Sequence, residues 1–368
     1  MNQKTNEERL GTAPLGRLMV SLAVPAVAAQ LINILYNIVD RVYIGHIRDY
    51  GDIALTGVGV TFPIIMLISA FSAFAGMGGA PLASIELGKK DIRKAELILG
   101  NSAGMIVLFS IVLTIGFSIF KRPVLYAFGA SDATIGYAES YVAIYLVGTI
   151  FVQTAIGLNT FISGQGESKI AMLSVVIGAV LNICLDPLLI FVLGMGVRGA
   201  AVATVISQAV SAAWVLRFLT SRKSVMKLKP ANMRLKRDIV KQIASLGISP
   251  FIMQCTESMV SITLNSGLQK YGGDLYVGTM SIMTSIMQLL LIPAQGISQG
   301  VQPIISYSYG AGDKKRVKDT FIRLVAAGLL GTLILGGAAV LVPEIYAGIF
   351  TNNQELIELT CKVMPIYF

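Results

Sequence analysis

Long apolar segments separated by short polar connections dominate the pattern of hydrophobic and polar positions along this chain. Runs of this length and apolarity predict membrane-spanning helices. Ten segments fit, near 18–40, 53–80, 95–119, 137–163, 170–193, 199–219, 239–268, 275–305, 320–342 and 354–368. Pro25 and Pro250 lie well inside the first and seventh segments, so we expect kinks there. The pattern predicts an all-α polytopic membrane protein.

Composition supports this prediction. The 368 residues are 54% hydrophobic and 13% charged, with a mean hydropathy of +0.72, whereas soluble domains carry about 25% charged residues. The three cysteines are isolated and there is one histidine, so neither a disulfide framework nor a multi-histidine metal site is expected. No nucleophile–base pair is apparent, and we therefore expect no enzymatic activity.

Basic residues are distributed unevenly between the two sets of alternating connections. The set that starts with the N-terminus holds 22 of the 29 Lys and Arg residues, and the other set holds six. This asymmetry predicts a multi-pass protein of the cell (inner) membrane with a cytoplasmic N-terminus. It also accounts for the net charge of +9 without nucleic acid. The densest basic connection, 220–238, is compatible with a topological anchor or with binding of anionic lipid headgroups.

The two halves of the sequence resemble each other at a constant offset. Residues 77–94 and 299–316 share a Gly, a Pro, a second Gly and an Asp: Gly78 with Gly300, Pro81 with Pro303, Gly88 with Gly310, and Asp91 with Asp313. Six spans per half predict parallel repeats, that is, two six-helix lobes on a twelve-helix plan. We divide the chain into a cytoplasmic N-terminus (1–17), an N-terminal lobe (18–219), a basic linker (220–238) and a C-terminal lobe (239–368).

The second repeat is shorter than the first. Its tenth segment has about 15 residues, or ~22 Å of helix, against the ~30 Å needed to cross a membrane. Counterparts of roughly 146–219 have no match in the second half. We therefore expect about ten helices and an incomplete second lobe, and an inactive truncated membrane protein is one hypothesis for this chain.

One carboxylate lies inside the fifth apolar segment. Burying Asp186 in a membrane helix is costly, which favours a functional role over a polar helix contact. Asn182 lies one turn earlier on the same face, where an amide also serves as interhelical glue. Pro187 follows and leaves backbone carbonyls without their usual donors. These oxygen atoms suit a small hard cation.

Two further oxygen-bearing side chains are expected at a depth in the membrane similar to that of Asp186. Asp40 lies ~34 Å along the first helix from Arg17, and Thr204 lies ~8 Å inside the sixth helix from its outer end. An interfacial pair of Asp40 with Arg41 and a Thr204 hydroxyl bonded to its own helix are the alternatives.

Three segments resemble signatures of the multidrug and toxic compound extrusion (MATE) transporters: 36–45 (YNIVDRVYIG), 181–187 (LNICLDP) and 199–204 (GAAVAT). The resemblance implies a cation site in the N-terminal lobe formed by Asp40, Asn182, Asp186 and Thr204, which would be Na⁺ ligands if coupling is to Na⁺. Glu257, within 254–258 (QCTES), resembles a seventh-helix glutamate that some members use for coupling or substrate. A carboxyl satisfied by neighbouring hydroxyls is its alternative.

The resemblance implies a monomeric antiporter, surrounded by membrane lipids, that exchanges Na⁺ or H⁺ for small organic cations and needs no other cofactor. Flexible methionines suit the cavity wall of such a protein, and ordinary helix packing is the favoured alternative explanation for them. The candidates are Met253, Met259, Met280, Met283 and Met287. A lipid or polysaccharide flippase of the same superfamily is the alternative transport function, and it would be expected to carry cationic side chains in its cavity.

Overall fold

The computed structural model describes residues 6–48, 50–348 and 354–367, and this part of the chain is helical with short turns. The helices of the first half are α1 (Asn6–Thr12), α2 (Leu15–Gly45), α3 (Gly51–Val60), α4 (Phe62–Gly88), α5 (Ile92–Ala127), α6 (Ile135–Val147), α7 (Thr149–Gly157), α8 (Asn159–Gly164), α9 (Ser168–Pro187) and α10 (Val197–Thr220). Those of the second half are α11 (Arg237–Gly310), α12 (Lys314–Leu341), α13 (Pro343–Gly348) and α14 (Gln354–Tyr367). A π-helical segment, Leu188–Val192, follows α9 directly.

The prediction of a polytopic membrane protein is confirmed. Within the described residues six helical stretches are long and apolar enough to cross a membrane, and a bent pair raises this number to seven. The bent pair is the predicted fourth helix, which turns by 60° between α6 and α7. A Cβ atom at Gly148, where the bend occurs, would overlap the side chain of Val205. Close packing on α10 therefore accompanies the bend.

The predicted seventh and eighth helices are joined without the non-helical connection expected between them, because helical turns continue from Arg237 to Gly310. Glycines lower helix propensity without forbidding helical backbone, so the Gly272–Gly273 pair was a weak signal. The two ends of α11 nevertheless both reach α4, where Gly247 packs on Gly78 and Tyr307 packs on Gly88. The stretch of α11 between these contacts would span ~90 Å as a straight helix, whereas the two contact points on α4 are ~15 Å apart. The chain of α11 therefore reverses direction, as two antiparallel spans require.

The internal repeat appears as matched local structure. Asp91 caps α5 by accepting a hydrogen bond from the backbone N–H of Lys94, and Asp313 caps α12 in the same way from Arg316, both at 2.9 Å. Such caps satisfy donors that the first helical turn leaves open. The offset that aligns the two sequence segments thus also aligns two structural roles.

The basic connections lie together at one end of the molecule, which we call the basic end. The guanidinium of Arg316 donates to the carbonyls of Leu10 and Ala13, at 3.1 and 2.8 Å. Leu10 is fully buried and lies beside Gly166, so the segment predicted as a cytoplasmic N-terminus contains a short helix that packs against the rest of the protein. The largest apolar core cluster also includes Leu10.

The linker between α10 and α11 is bound to the first half. Glu96 accepts from the backbone N–H of Lys227 at 3.2 Å and pairs with the Lys229 ammonium. Asn101 donates to the carbonyl of Asn232 at 3.2 Å and accepts from the N–H of Lys236 at 2.6 Å. The hydrogen bonds position nearly the whole linker along the ends of α5 and α10.

Candidate functional site

Eight polar or aromatic side chains from four helices form one cluster, and each helix contributes two residues spaced four apart. Residues with this spacing lie on the same face of a helix. The pairs are Tyr36 and Asp40 on α2, Tyr141 and Tyr145 on α6, Asn182 and Asp186 on α9, and Thr204 and Gln208 on α10. The structure therefore brings together all four residues predicted for the cation site.

The α9 pair is the most deeply buried part of the cluster. Asp186 has no exposed surface, Asn182 is 2% exposed, and the Asn182 amide donates to the Asp186 carboxylate at 3.4 Å. Pro187 ends the regular helix because it lacks an N–H and cannot continue the hydrogen-bond ladder. The following turn widens, as the bond from the Leu193 N–H to the Leu188 carbonyl at 2.9 Å shows. Asp186 thus lies where the helix changes its geometry.

The carboxyl groups of Asp40 and Asp186 face each other within hydrogen-bonding reach. Three ion pairs are found among the described residues, and none of them includes either carboxylate. Arg41 interacts electrostatically with Asp40, but its guanidinium lies 5.4 Å from the centre of the Phe62 ring. Asp40 and Arg41 therefore do not form the direct ion pair that was the alternative for Asp40.

Hydrogen bonds connect the remaining members across helices. The Thr204 hydroxyl lies within hydrogen-bonding reach of the Tyr141 hydroxyl, and no hydrogen bond from it to a carbonyl of its own helix is found among the described residues. Tyr141 stacks on Tyr145 with ring centres 6.1 Å apart. Tyr36 bonds Gln208 and interacts electrostatically with Asp40. Four separate helices are thereby held in register around the two carboxylates.

The two tyrosines of α6, together with Tyr36 and Gln208, were not predicted from the sequence. A tyrosine in an apolar helix is ordinary, so each one alone carries little signal. A signal does exist in the spacing, because each missed residue lies four positions from another member of the cluster. The repeated four-residue interval in four helices would have identified them together.

Three buried oxygen atoms in the cluster have no hydrogen-bond partner among the described residues: Oδ1 of Asp40, Oδ1 of Asn182 and Oδ2 of Asp186. Buried polar atoms are normally paired, so unpaired acceptors at one place indicate a missing positive or donating partner. Carboxylate and amide oxygens fit Na⁺ as well as a proton. No group of three or more His, Cys, Asp or Glu residues suited to a metal ion occurs in the described part of the chain.

A cavity of about 310 Å³ lies beside this cluster, between helices of the first half and α11. Tyr36 and Gln208 belong both to the cluster and to the cavity wall. Amide side chains are prominent in the wall: Gln30, Asn33, Asn159, Gln208, Gln254, Gln299 and Gln302. The described residues that line the cavity include no Asp, Glu, Lys, Arg or His.

The predicted methionine wall is not the wall of this cavity. Met253 and Met259 are 56% and 70% exposed, Met287 is 37% exposed, Met283 is buried, and Met280 is half-buried. Consecutive helical residues point about 100° apart, so Gln254 reaches the cavity and its neighbour Met253 does not.

Two other methionines, Met77 and Met172, do line the cavity. Glu257, the remaining residue predicted for the second half, is exposed and lies outside the carboxylate cluster. The structure therefore does not join it to the four residues predicted for the cation site.

A helical, multi-pass chain with a buried polar cluster beside a central cavity has the architecture of a membrane transporter. Comparison with family models gives the more specific assignment. The MatE family model matches residues 25–188 and 250–368. The chain belongs to this family of multidrug efflux transporters, as its sequence motifs suggested.

Curated relatives support the assignment. The chain is 24% identical over 360 residues to the multidrug export protein MepA of Staphylococcus aureus, covering 96% of this chain and 78% of MepA. MepA of Staphylococcus haemolyticus is 24% identical over 356 residues, covering 95% and 76% respectively.

Solved structures show the same fold. An outward-facing multidrug resistance MATE transporter of the MOP superfamily superposes with a TM-score of 0.89 at 23% identity, covering 99% of this chain and 80% of the other. A MOP superfamily transporter from Pyrococcus furiosus, described as having a binding pocket of reverse polarity, gives 0.90 at 23% identity with the same coverage. At this identity the likeness concerns the fold alone.

Proposed function

We propose that this chain is an antiporter, driven by Na⁺ or H⁺, that exports small organic cations and drugs by alternating access. The observation that carries the proposal is the facing pair Asp40 and Asp186, with its unpaired oxygens, directly beside a central cavity. The multidrug export function of the MepA relatives supports the substrate class.

The two carboxylates need a positive partner. Two buried carboxylates at close range repel each other strongly when both are ionised. A shared proton removes one charge, and a Na⁺ held between the oxygens of Asp40, Asn182, Asp186 and Thr204 neutralises the pair. Either cation lets α2 and α9 stay close, and its loss favours their separation. The cluster therefore has two states that differ in cation occupancy.

The link to the cavity runs through Tyr36 and Gln208. Tyr36 lies one turn from Asp40 on α2, and its bond to Gln208 joins α2 to α10 at the cavity wall. A movement of α2 that follows cation release changes this bond and the shape of the wall. Coupling of this kind is reciprocal, so substrate in the cavity also changes the affinity for the cation.

The arrangement in the membrane follows from charge. We propose that the basic end faces the cytoplasm in a multi-pass protein of the inner membrane, with a cytoplasmic N-terminus. We further propose that 18–219 and 239–368 act as two lobes of one monomer joined by the linker 220–238, and that membrane lipids cover its outer surface. The uncharged wall of the cavity does not favour the flippase alternative, because phosphate recognition calls for cationic side chains.

The test is gradient-driven export from proteoliposomes that hold the chain, with ethidium as the transported dye. Asp40→Asn and Asp186→Asn keep the size of each side chain and remove its charge. Asp132→Asn is the matched control, since Asp132 is exposed and outside the cluster. We expect both cluster variants to lose more than about tenfold in gradient-driven rate, and the control to keep the parental rate.

Cation binding is measured separately from transport. In detergent, Na⁺ in place of choline, or a lower pH, should raise the melting temperature of the parent and of Asp132→Asn but not of Asp186→Asn, because binding to the folded state stabilises it. The response to Na⁺ or to pH identifies the coupling ion. Parental export rates in both cluster variants would refute the proposed site.

A further inference from the structure

The short helix α1 contacts both halves of the chain at the basic end. Its Leu10 side chain is fully buried and lies against Gly166, in the turn between α8 and α9 of the first half. Towards the second half, Gly11 faces Tyr307 near the end of α11, where a Cβ atom on the glycine would lie 3.1 Å from the tyrosine ring. Arg316, on α12, donates to two backbone carbonyls at the end of α1. A helix of seven residues thus bridges the two lobes.

Arg316 supplies a hydrogen-bond donor that the backbone of α1 lacks. In a helix the carbonyl of Leu10 would accept from the N–H four residues later, but that residue is Pro14, which has no N–H. The Arg316 guanidinium donates to this carbonyl at 3.1 Å and to the carbonyl of Ala13 at 2.8 Å. Hydrogen bonds from a charged donor are stronger than those between neutral groups. The docked position of α1 therefore depends strongly on this one side chain.

The repeat indicates that this use of Arg316 is specific to the second half. At the offset of 222, Arg316 aligns with Lys94 and Ser308 aligns with Glu86. In the first half the Lys94 ammonium pairs with the Glu86 carboxylate at 2.9 Å, within one lobe. In the second half a serine replaces this acid, and the buried Ser308 hydroxyl has no partner among the described residues. The basic side chain is therefore available to α1.

The docking of α1 is suited to reversal. A helix of seven residues does not persist in water by itself, because helix nucleation is unfavourable and few hydrogen bonds follow it. The order of α1 therefore comes from its contacts with the rest of the protein. A cavity of about 120 Å³ lies between α1, α2 and the start of α9, with Leu10, Leu22 and Ser168 in its wall. Packing around the buried leucine is thus incomplete, which weakens the docking.

Helix α2 connects α1 to the carboxylate cluster. Only Ala13 and Pro14 separate the two helices, and Asp40 lies near the far end of α2. Under the proposed function, cation release at Asp40 moves α2. A connection of two residues has little slack, so this movement reaches α1.

We propose that α1 is a latch that holds the basic end of the transporter closed, and that α1 leaves its docked position when this end opens. While α1 is docked, separation of the lobes has to break the Arg316 hydrogen bonds or withdraw Leu10 from its buried site. The inference rests on the proposed function, and it assigns a control element to the movement between the two states.

Hydrogen exchange at 9–13 in the purified full-length chain measures the docking. Arg316→Gln removes the charged donor, and it should accelerate this exchange at least about tenfold. Leu10→Ala truncates the buried side chain and should act in the same direction. Lys315→Gln is the matched control, because it removes the same charge from an exposed neighbouring residue, and its exchange should stay within about twofold of the parent. Exchange at the parental rate in both Arg316→Gln and Leu10→Ala overturns the proposal.

The distance between the lobes measures the closed state. Spin labels at Arg93→Cys on α5 and Lys318→Cys on α12, in a variant without native cysteines, occupy exposed positions at the basic end. In lipid nanodiscs, Arg316→Gln and Leu10→Ala should each increase the population at longer distance at least about threefold, and Lys315→Gln should not. Melting temperatures near that of the parent establish folding. Faster exchange at 9–13 with an unchanged distance distribution overturns the latch.

The outcome is separable from that of the export proposal, because neither measurement involves transport. Faster exchange and longer distances in Arg316→Gln, with a parent that shows no gradient-driven export, support the latch and refute the antiporter. Gradient-driven export by the parent, with exchange and distances unchanged in Arg316→Gln and Leu10→Ala, supports the antiporter and refutes the latch.

Discussion

Gly88 lies directly against the backbone carbonyl of Tyr307, and no space for a Cβ atom remains between them. The repeat produces the reciprocal contact, in which Gly310 lies against the carbonyl of Ile85, the residue that the repeat aligns with Tyr307. The two halves of the chain therefore cross at a point where only glycine fits on either side. Each copy of the repeat supplies one glycine and one carbonyl to this crossing.

Substitution of either glycine should separate the crossing helices. We expect Gly88→Ala and Gly310→Ala each to reduce the free energy of unfolding by roughly 1–3 kcal/mol, because the added methyl forces the backbones apart. Gly328→Ala is the matched control, since its Cβ meets nothing within 4 Å. Thermal unfolding in detergent measures the effect. A Gly88→Ala melting temperature equal to that of Gly328→Ala would contradict the close contact.

The hydroxyl bond between Tyr141 and Thr204 should behave as an energetic unit. We expect Tyr141→Phe and Thr204→Val to be non-additive, with the double variant less destabilised than the sum by about 0.5–1.5 kcal/mol. The comparison pair is Tyr141→Phe with Thr220→Val, because Thr220 bonds carbonyls of its own helix. The changes in unfolding free energy of these two substitutions should add to within about 0.5 kcal/mol. Additivity in both cycles would show that the hydroxyls do not interact.

The orientation in the membrane can be tested with single cysteines in a variant without Cys184, Cys255 and Cys361. Lys223 is exposed in the basic linker, whereas the neighbouring Ser224 is 3% exposed and bonds the Met226 carbonyl at 2.6 Å. Lys223→Cys is therefore the suitable probe. In intact cells it should resist an impermeant thiol reagent and react after the membrane is opened.

The matched control for orientation is Ala133→Cys, an exposed position in the connection between α5 and α6. This connection belongs to the set poor in basic residues, so it should react with the same reagent in intact cells. Labelling of Lys223→Cys from outside, with Ala133→Cys protected, would reverse the assigned orientation.

Asn101 should hold the linker in place. Asn101→Leu removes the acceptor of the Lys236 N–H and the donor to the Asn232 carbonyl, at similar side-chain volume. We expect a loss of roughly 1–3 kcal/mol, since groups left unpaired in a buried contact carry a desolvation cost. Hydrogen exchange at 232–236 should accelerate. Thr220→Val, an exposed change at the end of α10, should leave this exchange unchanged, and equal protection in both variants would count against the bonded linker.

Much of the fold was predictable because the membrane imposes length and apolarity on each helix. The repeat was predictable from Asp91 and Asp313, which recur because both cap a helix at the same place. The bend at Gly148 was not predictable, because it depends on packing against Val205. The sequence around Gly148 carries no sign of that contact. The helical turns at Gly272 and Gly273, where a non-helical connection was expected, were missed because glycine pairs are compatible with both turns and helices.

The residues of the candidate site were predictable where burying the side chain in a membrane helix costs much free energy, and were not predictable where burying it costs little. Asp186 and Asp40 stood out because carboxylates are rare in membrane helices. Tyr36 and Tyr141 did not stand out, since a phenol ring is common in an apolar segment. The five predicted methionines do not line this cavity, because composition does not reveal which face of α11 meets it, and that face carries Gln299 and Gln302.

The bonds that bind the linker to the first half have a mechanical consequence. The segment 220–237 has the length of a flexible tether, yet Glu96 and Asn101 hold its backbone at three positions. The start of α11 is thereby fixed to α5. A rearrangement of α11 relative to the first half therefore has to bend α11 beyond this point or break these hydrogen bonds, because the bonded linker cannot lengthen.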